Sequence, residues 1–122
     1  MISTGTRLKV IDNSGAKIVE CIRLLGDSKQ RVGYAGQEII VSVKKVNPSK
    51  KMRKGEIHRA VIVGIKKTKI RINGIGVSFG VNSAVLVNLK GVPLGTRVLA
   101  PVMLEVREQG FLKVVSMATT AI

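Results

Sequence analysis

The chain has 122 residues, with 21 Lys and Arg against 7 Asp and Glu, for a net charge of +14. Apolar residues make up 45%, enough for a proper core, which excludes a disordered basic tail. A single cysteine, Cys21, and a single histidine, His58, exclude an internal disulfide and a zinc site of the usual Cys/His kind, and suit a reducing compartment. No apolar run approaches the ~20 residues of a membrane span. Met1 to Gly5 has neither the basic nor the apolar region of a signal peptide.

The pattern reads as β, with a late change. Arg7 to Asp12 is a first strand, with Leu8 and Val10 on one face. Asp12-Asn13-Ser14-Gly15 is a turn, with Asx chemistry at its start and glycine at its end. Ala16 to Leu25 is a second strand, and Lys29 to Gly36 a basic loop. Glu38 to Val46 is a third strand, in which Ile39, Val41 and Val43 alternate with Ser42 and Lys44, so one face is dry and the other wet. Asn47 to Gly55 is a Lys/Pro-rich loop. Ile57 to Lys67 is a fourth strand, apolar on both faces around Ala60 to Val63 and hence central. Lys69 to Phe79 reads as a hairpin turning on Asn73-Gly74. Ala84 to Leu89 is a further strand. Pro101 then opens a helix over Val102 to Glu108, with Val102, Met103 and Val106 facing the core and Gly110 just past its end. A strand is the alternative there, and Phe111 to Met117 is ambiguous in the same way. Glu105 and Glu108 are expected on the helix surface. Short strands with frequent turns indicate a small closed barrel. The expected organisation is one domain over residues 1–122, with the barrel in about 1–100 and a helical segment in about 101–122.

Charge is concentrated. The 28 residues from Lys44 to Arg71 hold 11 of the 21 basic residues and one acid, Glu56. They are Lys44, Lys45, Lys50, Lys51, Arg53, Lys54, Arg59, Lys66, Lys67, Lys69 and Arg71. A surface so charged repels itself, and a polyanion relieves that cost. Nucleic acid rewards each neutralised phosphate by counterion release. Outside the segment, Arg7, Lys9, Lys17, Lys29 and Arg31 are further RNA-binding candidates. The aromatics number only three, Tyr34, Phe79 and Phe111, too few for binding single strands by stacking. The expected partner is a folded RNA recognised by shape, through Lys and Arg on phosphates and backbone N–H groups of turns. The loops Lys50–Lys54 and Lys66–Lys69 flank the fourth strand and are expected at one end of the barrel or on a ribbon.

Enzyme chemistry finds little support. His58 lacks the partners of a catalytic base, and there is no G-x-S-x-G elbow or Cys/His signature. Cys21, inside a strand, reads as a packed small hydrophobe. The acids are scattered singly. Gly91 to Thr96 lacks the lysine of a P-loop, and Gly74-Ile75-Gly76 lacks the third glycine of a dinucleotide fingerprint.

Three motifs carry a resemblance. The first is Gly5 to Lys17, including Asp12-Asn13-Ser14-Gly15, followed by Cys21-Ile22. The second is Ala60-Val61-Ile62-Val63, then Asn73-Gly74, Phe79, Asn82 and Val85-Leu86. The third is Gly95-Thr96-Arg97-Val98 with Pro101-Val102. Together they span nearly the whole chain, which resembles the L-fourteen family of large-subunit ribosomal proteins. The resemblance implies a five-stranded β-barrel with a projecting β-hairpin and short C-terminal helices. It implies a structural protein of the ribosome, not an enzyme, with no cofactor and no membrane association. Its partners would be large-subunit ribosomal RNA, the ribosomal proteins numbered three and nineteen, and small-subunit RNA across intersubunit bridges. It also implies a docking face at Thr96 and Arg97, with Lys113, for a small acidic silencing factor. The planar five-donor fork of Arg97 suits carboxylates, although pairing with RNA is an equal alternative. Gly80, Ala100 and the apolar Ile70, Ile72 and Ile75 depart from the family pattern. With the start at Met1, they point to a bacterial cytoplasm or, slightly favoured, an organelle-encoded protein of the mitochondrial matrix. A free-standing RNA-binding barrel, such as a translation factor, is the alternative reading.

Overall fold

Alternation of apolar and polar residues lets five strands curl around one dry interior. A computed structural model describes residues 2–26, 32–66, 69–70, 76–77, 80–118 and 121–122. The strands in chain order are β1 (Arg7–Val10), β2 (Ala16–Leu24), β3 (Glu38–Val46), β4 (Ile57–Gly64), β5 (Lys69–Ile70), β6 (Gly76–Val77) and β7 (Ser83–Val87). Two short helices follow, α1 (Glu105–Glu108) and α2 (Leu112–Met117). Strands β1-β2-β3-β4-β7 close into a barrel, and β5 and β6 form a separate antiparallel pair. The expected turn at Asn73-Gly74 lies outside the described residues. Neighbouring barrel strands run antiparallel, except at the closure, where β1 pairs in parallel with β7 through Lys9↔Ser83 and Val10↔Ala84. Register shifts along β2 and in β4 mark irregularities of the bulge type, which bend strands and help a small barrel curve shut.

The barrel interior is filled by inward residues such as Leu8, Val19, Val41, Val43, Ile62 and Leu86. A second apolar cluster lies on the outside of β4 and β7. There Val61, Val63, Val85 and Val87 pack against Val98, Val102, Val106 and Val114. Residues Ala60 to Val63 are thus buried on both faces, as their unbroken apolar run implies, and every residue of β7 is buried.

Strand β3 has the expected boundaries. The first, second and fourth strands stop earlier than expected, and the strand expected over Ala84–Leu89 runs from Ser83 to Val87. Asp12 leaves β1 to form the following turn, and the Lys66 N–H donates to Asn82 Oδ1 at 2.9 Å instead of continuing β4. The expected helix over Val102–Glu108 shrinks to α1. Met103 N–H donates to the Val63 carbonyl at 2.8 Å, and Ile122 N–H to the Val102 carbonyl at 2.8 Å. This extended pairing competes with a helix. It also sends Val102 into the outer cluster and Met103 into the barrel, so both are buried as expected. Gly110 does follow α1, and Phe111–Met117 resolves largely to helix. Glu105 is a correction: it is buried, not on the helix surface. The loop at Gly36 lies so close over α1 that a Cβ there would sit 2.6 Å from the Glu105 carbonyl oxygen.

Candidate nucleic-acid interface

The turn at Asp12–Gly15 joins three distant segments. Asp12, buried, accepts from Ser14 N–H at 3.0 Å and the Ser14 hydroxyl at 2.5 Å through Oδ1. Its Oδ2 accepts from Leu86 N–H at 3.0 Å. Burial pushes the Asp12 carboxyl above its ordinary pKa, and the bonds from Ser14 and Leu86 oppose that rise. Asn13 faces the other way. Its Oδ1 accepts from Thr96 N–H at 2.7 Å and Arg97 N–H at 3.0 Å, while its Nδ2 donates to Thr96 Oγ1 at 2.7 Å. A Cβ on Gly95 would fall 2.5 Å from Asn13 Oδ1, so this clamp needs glycine there. Gly15 has φ +113°, and a Cβ on it would lie 2.6 Å from Lys50 Cβ. Its carbonyl accepts from Asn47 N–H at 2.7 Å. One turn therefore holds β7, the Thr96-Arg97 segment and the start of the basic loop. Sequence reasoning saw a turn in Asp12–Gly15 but not the clamp. The pairing of two residues 83 positions apart has no local signal.

The basic residues fall into groups. Arg7, Lys9 and Lys17 point outward from β1 and β2 and are exposed, as is Lys66. Lys45, Lys50, Lys51, Arg53 and Lys54 are exposed at the end of β3 and in the loop after it. Lys44 and Arg59 are only partly exposed and already hold carboxylates: Lys44 pairs with Glu20 at 3.3 Å and Arg59 with Glu38 at 3.2 Å. Among the described residues none of the other cations named here is in an ion pair. Lys29, Arg31, Lys67 and Arg71 lie outside the described residues, and for Lys69 only the backbone is described. Arg23, exposed on β2, belongs to the same outward surface and was not among the sequence candidates; strand position was its only signal.

The loops flanking β4 leave opposite ends of that strand, and Lys69 lies on the separate β5–β6 pair, the ribbon of the alternative expectation. Loop 47–56 precedes the strand and Lys66 follows it, with nine residues, 57–65, between them. The chain's charge thus spreads along the barrel's length.

Thr96 and Arg97 are exposed side by side, oriented by Asn13. Lys113 is exposed on α2. Among the described residues no hydrogen bond or ion pair joins it to Arg97. His58 Nε2 lies 2.9 Å from Glu56 Oε2, and this hydrogen bond holds the Glu56 carboxyl below its usual range. Cys21 is fully buried, and desolvation pushes its thiol up, consistent with a packed hydrophobe. The family model described as ribosomal protein L14p/L23e matches residues 1–122.

Proposed function

The chain belongs to the ribosomal L14 family, and from that membership we propose how its surface is used. The family's proteins are structural, generally non-enzymatic constituents of the large ribosomal subunit, and they bind rRNA and other ribosomal proteins. Our reading is that the open basic surface contacts rRNA phosphates through Arg7, Lys9, Lys17, Lys45, Lys50, Lys51, Arg53, Lys54 and Lys66. Lys29, Arg31, Lys67, Lys69 and Arg71 join it by charge alone. Lys44 and Arg59 contribute less, because a phosphate must compete with the carboxylate each one holds. The observation that carries this reading is a set of exposed cations, on outward positions of β1 and β2, in the loop after β3 and at Lys66, that among the described residues hold no ion pair. Such charges gain most from a polyanion.

The finer assignments follow from family likeness. They are contact with the ribosomal proteins numbered three and nineteen, bridges to small-subunit RNA, and docking of an acidic silencing factor on Thr96, Arg97 and Lys113. The clamp from Asn13 supports the last, since it presents Arg97 on a fixed backbone. A bacterial or mitochondrial ribosome is the proposed setting. The test is Arg97→Glu in the full chain. Normal incorporation into large subunits, with weakened factor binding or subunit joining, supports docking. Failure to incorporate, with reduced affinity for isolated rRNA, assigns Arg97 to the RNA face instead.

A further inference from the structure

Between the outer face of β1 and β2 and the segment Gly80–Asn82 lies an open cavity of about 640 Å³. Among the described residues four cations line it, Arg7, Lys9, Lys17 and Lys66, and no carboxylate does. Glu20, the cross-strand partner of Arg7, has its carboxylate held by Lys44 at 3.3 Å. The cavity is not simply a charged slope. Ile18 and Val81 also line it, and Val81 is 49% exposed, so apolar surface is left open among the charges. The wall that carries Val81 is tied down by its neighbour. The Asn82 carbonyl accepts from Lys9 N–H at 2.9 Å, and Asn82 Oδ1 accepts from Lys66 N–H at 2.9 Å. Those bonds fasten the wall to β1 and to the segment leaving β4.

A phosphate alone needs no cavity, and an apolar ligand gains nothing from four cations. An anion with a flat apolar body satisfies both, and the volume lies in the range of small-ligand sites. RNA presents such a group wherever a nucleotide leaves the stack. We propose that this cavity receives one unstacked nucleotide of the rRNA, its base against Ile18 and Val81 and its flanking phosphates on Lys9, Lys17 and Lys66. The inference rests on the reading that this side of the barrel faces RNA.

The test uses the full chain and pentanucleotides with A, C, G, U or an abasic site at the centre, followed by methyl NMR at low salt. At least one base-bearing probe is expected to bind about tenfold tighter than the abasic one. Its addition should shift the Ile18 and Val81 methyl signals. In Val81→Asp the preference should disappear, while Val81→Ile keeps it; unchanged thermal unfolding of both variants excludes misfolding. Equal binding of all five probes to the wild type overturns the cavity proposal but leaves phosphate binding intact. Loss of binding to a large-subunit rRNA fragment overturns the wider reading itself. If an acidic apolar peptide moves those methyl signals and no oligonucleotide does, the occupant is protein and the proposal is wrong.

Discussion

The barrel has two outer faces, and they are built differently. On β1, β2 and β3 the outward positions include Arg7, Lys9, Lys17, Arg23 and Lys44, all at least partly exposed to water. On β4 and β7 the outward positions are Val61, Val63, Val85 and Val87, buried beneath Val102, Val106 and Val114. The inward residues are alike on both sides. What differs is whether the C-terminal segment covers the strand. A covered strand must be apolar on both faces, because an unpaired charge buried there costs several kcal/mol or shifts its pKa until it is neutral. An uncovered strand is free to carry charge. The cations therefore mark the part of the barrel that the fold does not use to hold itself together.

The comparison breaks most visibly when a charge is moved across it. Val85→Lys, on the covered face, should destabilise the protein by about 3 kcal/mol or more. Ile22→Lys, on the open face, should change stability by about 0.5 kcal/mol at most. Urea unfolding of the two variants measures both, and equal shifts would mean that the C-terminal segment does not seal β4 and β7.

Asp12 sits at the junction of the two faces. Asp12→Asn places an N–H₂ where an oxygen now accepts from Leu86 or Ser14, and should cost about 1–3 kcal/mol. The variant also sharpens a pH effect. Burial raises the native pKa of Asp12 above the ordinary carboxylate value, so the native state binds that proton more tightly than the unfolded chain does. The associated stability is present below the unfolded pKa and is lost as pH rises through the native one. Unfolding midpoints of wild type and Asp12→Asn across acidic pH should differ by this falling component, and parallel curves would remove Asp12 as its source.

Smaller effects separate the faces in binding. Lys17→Ala should make the log–log salt slope of rRNA affinity shallower by about 0.7–0.9. Arg107→Ala, on α1, should leave the slope unchanged. The smallest change is expected from His58→Ala. Without its hydrogen bond, Glu56 should return toward the ordinary carboxylate range, as followed by NMR titration. Because the native pKa of Glu56 is lowered, its contribution is present above the unfolded pKa and is lost as pH falls through the native one.

Much of the barrel was legible because its signals are local. Ile39, Val41 and Val43 alternate with polar residues, and all three are buried. The unbroken run at Ala60–Val63 announced a strand dry on both sides. The helix at Val102 was misjudged because Pro101 and Gly110 are sound local signals, overridden by pairing with Ala121, Ile122 and Val63. Glu105 was misplaced for a similar reason: the loop at Gly36 that covers it is about seventy residues away in sequence. Charge in the candidate interface was legible from composition, but its distribution was not. Only strand direction reveals that loop 47–56 and Lys66 stand at opposite ends of β4. The Asn13 clamp and the ion pairs of Lys44 and Arg59 depend on the closed topology and have no local trace.

The central claim is that the open face binds rRNA mainly through phosphate. Affinity of the full chain for a large-subunit rRNA fragment, measured from low to moderate salt, tests it most directly. If about six phosphates are neutralised, the log–log slope should be roughly −4 to −5. A flat dependence would contradict the account.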